Sequence, residues 1–326
     1  MKISILIFIS LIFYGCVKNV EVDPISSSQW EVFGYFPVET QFVLYMNLNE
    51  LRKTEFWVSY FEHSLKQNQK NPGEMDVHKW LTEFGNETGV GLNGGVSEIF
   101  TASTWEGNNI IAVSFDKNFE KIRNYFSDED NFEETKKGNR EIFTSKSKTS
   151  ADFYFPNDSL LLIINDDDYV DNLLEDNGKS LKDNKKLIGV IKKIRNKKHY
   201  WMATDKGNYA AALFENLLNV NQDLKTRDFI NSIEEISLSA EFQDGVNIES
   251  LWNCNSSKNA YLLATAIRGA LAMDLFKSEN NTLGKLLEKM EIERENSQIN
   301  IQIDIDKSDI EEIKNLAKKD LIQKKL

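Results

Sequence analysis

The chain has little cysteine, little histidine, no long hydrophobic run and no surplus of positive charge. Each shortage removes a class of protein. Two cysteines in 326 residues, Cys16 and Cys254, cannot build a disulfide framework. Three histidines, His63, His78 and His199, share no metal-binding spacing, and no H-E-x-x-H, C-x-x-C or G-x-S-x-G segment is present. A net charge of −12 argues against a nucleic-acid partner and against docking on anionic lipid through a basic patch. The apolar stretch Ile3 to Phe13 ends well before the roughly 20 residues that a bilayer-spanning helix needs.

What is present is a leader and a core. Lys2 supplies a positive start, Ile3 to Phe13 an apolar region, and Gly15 a small residue before Cys16. That order describes an export signal, with plain secretion or an uncleaved membrane anchor as the alternatives. Gly15-Cys16 at the end of the apolar region resembles the lipobox of bacterial lipoproteins, although Phe13 and Tyr14 stand where leucine and a small residue are usual. The resemblance implies cleavage after residue 15 and diacylation of Cys16, so that the folded part stays outside the cytoplasm, held to a membrane, the outer one being the expectation. Two acyl chains anchor stably where one holds reversibly, since each buried CH₂ contributes about 0.8 kcal/mol.

Residues 16–30 read as a polar tether, with Lys18, Asn19, Glu21, Asp23, Pro24 and Ser26-Ser27-Ser28. The remaining chain is 41% apolar and 11% aromatic over its whole length, enough for a real core. Strand and helix patterns alternate. Phe42, Leu44, Met46 and Leu48 mark a strand, with Asn49 to cap the helix that follows; a second helix runs from about Met75 to Phe84. Ser97 to Trp105 and Asn109 to Phe115 form a hairpin around Glu106-Gly107-Asn108. A short helix follows Asp116, then an acidic loop, Ser127 to Thr135, then strands at 140–147, 151–155 and 159–164. Beyond a basic linking helix, Leu181 to Ile194, the pattern restarts. His199 to Thr204 is a strand, Asp205 a cap, Ile236 to Phe242 and Val246 to Trp252 a hairpin at Asp244-Gly245. A small-residue helix spans Lys258 to Phe276, and Ile299, Ile301, Ile303 and Ile305 alternate with polar residues. Ser308-x-x-Glu311 reads as the capping box of a last helix.

Val96-Ser97-Glu98-Ile99 matches Ile233-Glu234-Glu235-Ile236, and both hairpins turn at an acidic-glycine pair. The expected fold is α+β, with two similar halves, 31–178 and 179–326, each an antiparallel sheet with helices on one face. The segment Pro37 to Leu48, followed by a Trp-bearing helix, is similar to a loose group of exported bacterial proteins of unknown function with duplicated α+β halves. That resemblance implies architecture and no catalytic residues.

The motifs that carry chemistry elsewhere lack their context here. Gly89-Val90-Gly91-Leu92-Asn93-Gly94 fits G-x-G-x-x-G, but a helix precedes it and a strand follows, the reverse of a dinucleotide site. Asp166-Asp167-Asp168 lacks the spacing of a calcium loop and suits a helix N-terminus. Asp128, Glu129, Asp130, Glu133 and Glu134 read as a solvated loop. Trp30, Phe33, Tyr35, Phe36, Tyr45, Trp57 and Tyr60 could stack on sugar, but their spacing suits a core. Cys254 ends a strand with no histidine within fifty residues, so a buried apolar role is expected. No cofactor or metal is implied. The reading that results is a non-enzymatic binding or scaffold module of the cell envelope, for another envelope protein or for a hydrophobic ligand between the halves. The alternative is an envelope hydrolase acting on glycan or peptide.

Overall fold

The computed structural model describes residues 23–61, 84–116, 119–128, 130–137, 140–146, 151–165, 169–170, 178–194, 198–214, 230–277, 288–313 and 315. The leader, Cys16, His63, His78, the helix expected near Met75 and Asp166 to Asp168 lie outside these residues. Twelve strands form one antiparallel sheet. In chain order they are β1 Phe42–Asn47, β2 Val96–Ser103, β3 Asn109–Phe115, β4 Phe132–Lys137, β5 Arg140–Ser145, β6 Asp152–Asn157, β7 Leu160–Ile164, β8 Tyr200–Thr204, β9 Ile233–Phe242, β10 Val246–Cys254, β11 Met290–Glu295 and β12 Gln298–Ile305. Across the sheet they lie in the order β11-β12-β10-β9-β8-β1-β2-β3-β7-β6-β5-β4.

The two expected sheets are therefore one, joined where β1 pairs with β8 from Phe42↔Thr204 to Met46↔Tyr200. Going outward from that seam, each side begins with a strand, a hairpin and a crossover, but the β1 side returns to its third strand through a four-stranded meander, β4 to β7, and the β8 side through the single hairpin β11–β12. β2 and β9 each carry one extra residue relative to the partner strand. The register shifts between Val96 and Glu98 in β2, and opposite Asn253/Cys254 in β9, between Ile233 and Glu235. The bulged residues, Ser97 and Glu234, occupy the same place in the two matched tetrapeptides.

The turns are less alike. Gly107 has φ of 109°, a conformation open to glycine at little cost. Gly245 has no positive φ; a Cβ there would sit 2.3 Å from the Ile305 carbonyl oxygen, so β12 demands the glycine by close approach.

Helices cover both faces of the sheet, not one. The first face carries Val43, Tyr45, Phe100, Ala102, Leu162, Trp201 and Ala203. It is covered by α1 (Ser27–Val32), the 3-10 turn Phe33–Tyr35, the 3-10 turn Leu181–Asp183 and α4 (Lys185–Ile191). Ser26 caps α1 by a reciprocal capping box with Gln29, so order begins inside the segment read as tether. The second face is covered on one side by α3 (Phe119–Phe126), through Ile122 and Phe126, and on the other by α5 (Gly207–Phe214) and α6 (Ser257–Lys277). A short α2 (Leu48–Leu51) follows β1.

Beyond β9 the first face turns polar, with Ser237 and Ser239 followed by Glu249, Asn253, Gln298, Asn300 and Gln302. Strand alternation places these opposite the buried Ile236, Trp252 and Ile299. Both sheet edges are charged. β4 reads Phe-Glu-Glu-Thr-Lys-Lys, where an acidic loop was expected, and β11 reads Met-Glu-Ile-Glu-Arg-Glu.

Several caps shift by a residue or two from their sequence positions. Asn47, not Asn49, caps α2 through the Glu50 amide at 3.0 Å. Asp306 caps the last helix (307–313): its Oδ1 accepts from the amides of Ser308 and Asp309, and Asp309 Oδ2 accepts from the Asp306 amide. The capping box is thus Asp306-x-x-Asp309, two residues before Ser308.

At the seam, Tyr45 and Trp201 are cross-strand partners with rings stacked at 5.3 Å, and Phe33 meets Trp201 edge-on at 6.5 Å. Trp201 is fully buried and its Nε1 has no partner. Removing the ring leaves a large cavity, whereas phenylalanine keeps most of the packing and loses no hydrogen bond. Trp201→Ala is expected to cost about 3–5 kcal/mol and Trp201→Phe under about 2 kcal/mol in urea unfolding.

The lower end of the seam is polar. The Gln41 carbonyl accepts from Thr204 Oγ1 at 2.8 Å and from the Asp205 amide at 3.3 Å. Asn184 caps α4 and donates to the carbonyls of Val38 and Thr40, tying the linking helix to the chain entering β1. Asp205 does not cap α5 as expected; its Oδ1 is buried without a partner, and Thr204 Oγ1 accepts from the Lys206 amide instead. Burial pushes the Asp205 carboxyl above its ordinary range, against the opposing pull of Lys186 and Lys206. A carboxyl raised on folding costs stability above its folded pKa, and that cost fades as pH falls through this value. Asp205→Asn is expected to raise Tm by about 1–3 °C at pH 7.5, with the gain shrinking toward pH 4 in thermal melts.

Candidate functional site

One row of side chains can be followed across the entire second face. Register places Glu134, Phe143, Phe153, Ile163, Ile111, Thr101, Leu44, Met202, Leu238, Ser250, Ile301 and Ile292 side by side. The only charge in the row is Glu134, on the edge strand. The row beside it, Leu161, Val113, Ile99, Met46, Tyr200, Ala240, Ile248, Ile303 and Met290, has none. Polar residues within a strand normally take the opposite pleat, so the absence of charge from these two rows inside the edge strand marks the middle of this face as mainly apolar.

Cover over the face is divided. Under α3 the cluster of Phe126, Phe143, Phe153, Leu161 and Val113 is buried. Under α5 and α6 the cluster of Ile236, Trp252, Ala260, Leu263 and Ile299 is buried. Between them Leu44, Met202 and Leu238 are only half-buried and belong to neither cluster. These three flank and include the β1–β8 seam, so the strip lies where the two sides of the sheet meet.

Aromatic groups flank the strip, one toward each end of the strands. At the start of β1, Phe42 meets Trp105 at 6.1 Å, and Trp105 stacks on Tyr209 at 5.7 Å. At the far end Phe56 packs on Phe242 at 4.8 Å and on Tyr60 at 5.4 Å, and the Phe56 amide donates to the Gln243 carbonyl. The distance between the two groups along the strands is about 20 Å at roughly 3.4 Å per residue.

The other residues singled out in the sequence take structural roles. Cys254 is buried, and burial pushes its thiol up, away from the reactive thiolate. His199 Nδ1 accepts the Phe242 amide at 2.9 Å, and burial lowers its pKa, so the ring is held neutral as an acceptor. Gly89 and Gly95 have φ of 75° and 88°, and Gly91 bridges Gly94. The loop is held by Arg52, whose guanidinium donates to the carbonyls of Leu92 and Val96. Asp128 turns its own loop by accepting from the Asp130 amide and from Asn131. Of the seven aromatics, Phe33, Phe36, Tyr45 and Trp57 are core; Trp30 remains exposed. Among the described residues no group of three or more His, Cys, Asp or Glu could hold a metal ion, and no helix is long and apolar enough to cross a membrane.

Two hollows lie elsewhere. One, near Arg123, Arg140 and Glu141, has its charges largely paired, Arg123 with Glu141 and Arg140 over the Tyr154 ring. The other lies between Glu39, Thr104, Asn109 and Tyr169, and burial with the nearby Glu39 pushes the Tyr169 phenol up. Neither brings together a nucleophile and a base.

No protein-family model and no curated protein matches the chain. Among solved structures, crystal form I of TP0453 is similar at a TM-score of 0.47 with 13% identity, over 90% of this chain and 96% of that one. Crystal form IV of TP0453 gives a TM-score of 0.45 with 12% identity, over 87% of this chain and 92% of that one.

Proposed function

We propose that this chain is a lipid-anchored protein of the cell envelope, tied to the outer membrane through Cys16 after loss of residues 1–15, and that it binds rather than reacts. Its ligand is a single fatty-acyl chain, laid along the strip of Leu44, Met202 and Leu238 between the two covered clusters. The observation that carries this reading is the row crossing the seam, in which Leu44, Met202 and Leu238 are half-buried and packed into neither of the flanking clusters. An acyl chain fits the strip on two counts: it offers no group needing a hydrogen bond, and it is narrow. The two sides of the sheet are read as duplicated halves, 31–178 and 179–326. Their support is the repeated strand order and the bulges at Ser97 and Glu234.

A fluorescent single-chain fatty acid titrated into the full chain is expected to bind saturably. Leu238→Lys and Met202→Lys place a charge in the strip and are expected to weaken binding by about tenfold or more. Leu44→Trp, which fills the space without charge, is expected to do the same with an unchanged circular dichroism spectrum. Undiminished binding in both kinds of variant overturns the assignment; a longer hydrophobic peptide or a second copy outcompeting the fatty acid would replace it.

The anchor is tested separately. Radiolabelled palmitate supplied to cells is expected to label the wild type and not Cys16→Ser. Equal label in both removes the lipoprotein reading.

A further inference from the structure

Charge is unevenly distributed along the chain. Nine lysines and arginines and one aspartate lie between residues 179 and 198, a local net of +8 within a total of −12, which leaves −20 for the rest. The sequence-wide figure, which argued against a basic docking patch, therefore conceals one. The structure shows where it lies. α4 buries Leu187, Ile188, Val190 and Ile191 against the first face, and its outward stripe is Lys185, Lys186, Gly189, Lys192 and Lys193, with no carboxylate among them. Lys179 and Lys182 continue the stripe backward across the 3-10 turn. Lys193 is engaged by Glu235, and Lys198 by Glu241. Lys179, Lys185 and Lys192 are exposed and face solvent.

Beside them stands Trp30 of α1, 38% exposed where the other large aromatics of that segment are buried. The Lys182 ammonium lies 5.9 Å from its ring centroid and so close over Gly34 that a Cβ there would meet Nζ at 2.8 Å. Among the described residues Glu31, Glu39 and Asp183 are exposed acids on the same segments, fewer than the lysines. An exposed tryptophan with a lysine over its ring, beside a lysine stripe, is the pairing that suits a bilayer interface, where the indole sits among headgroups and ammonium groups meet phosphate.

The position of the patch points the same way. Ile25 packs against the first-face core next to α1, and it lies nine chain steps from Cys16. Even fully extended, that length reaches only about 30 Å. The patch is therefore on the part of the fold held nearest the membrane if Cys16 is acylated. The acidic stretch of the first face, Glu249, Glu291 and Glu293, lies at sheet level, while α4 stands above the sheet by about 10 Å. That height is about one screening length in physiological salt.

We propose that α1 and α4 form a membrane-facing surface that docks on anionic lipid headgroups through Lys179, Lys182, Lys185, Lys192 and Trp30. The proximity argument rests on the Cys16 anchor; the lipid preference does not. The test is co-flotation of the full chain with vesicles of phosphatidylcholine alone and with about one-third phosphatidylglycerol. The readout is the ratio of binding to the two, which divides out any contribution of the leader or the acyl chains. The wild type is expected to favour the anionic vesicles by about tenfold or more, with the preference collapsing in high salt. The triple variant Lys179→Glu, Lys185→Glu, Lys192→Glu is expected to bring the ratio near one, and the matching arginine variant to keep it. A wild-type ratio of one, or a ratio untouched by charge reversal in a chain with native circular dichroism, overturns the proposal. Cys16→Ser is expected to lower binding to both vesicles together; failure to do so counts against the anchor and leaves the ratio standing.

Discussion

The pairing of β1 with β8 is the constraint on which the rest of the molecule depends. It joins strands separated by some hundred and fifty residues, a loop closure whose entropy must be offset by contacts made on the spot. The offset comes from the first face, where Tyr45 and Trp201 stack and Phe33 closes over them. The linking helix adds to it, its Asn184 holding the carbonyls of Val38 and Thr40. Because pleating sends successive side chains to opposite sides, the same pairing sets Leu44 beside Met202 on the second face. One register thus fixes both a fully buried aromatic group of the core and a half-buried strip of the opposite face.

Much of this order was legible locally. Alternation gave β1, the β2–β3 and β9–β10 hairpins, and β12, because each has one apolar face and a turn at its end. β4 and β11 were not legible for the same reason that they are edges: charge on both pleats, as in Met-Glu-Ile-Glu-Arg-Glu, erases the period-two signal. Nothing local announces that two hairpin systems share one sheet, since β1 and β8 pair through backbone groups that every strand offers. The same ambiguity explains the caps, where Asn47 and Asn49, or Asp306 and Ser308, are both good capping candidates two residues apart.

The strip and the patch were illegible for opposite reasons. Leu44, Met202 and Leu238 each look like an ordinary inward-facing strand residue, and only register across the sheet shows them aligned and incompletely covered. The lysines of α4 were visible as a basic linking helix, but a single net charge averaged them away against the acidic remainder. Folding does the reverse of averaging: it burial-sorts α4 so that its apolar residues face the sheet and its lysines gather outward.

The charged margins of the sheet bear on life at a surface. Tethered copies diffusing in a plane meet far more often than free ones, and always with the same side toward the bilayer, which is the encounter geometry in which sheets grow into fibrils. Two β11 margins approaching each other would bring Glu291, Glu293 and Glu295 against their counterparts. If the proposed anchor at Cys16 gathers copies on a membrane, like charge at these rims opposes edge-to-edge growth of the sheet.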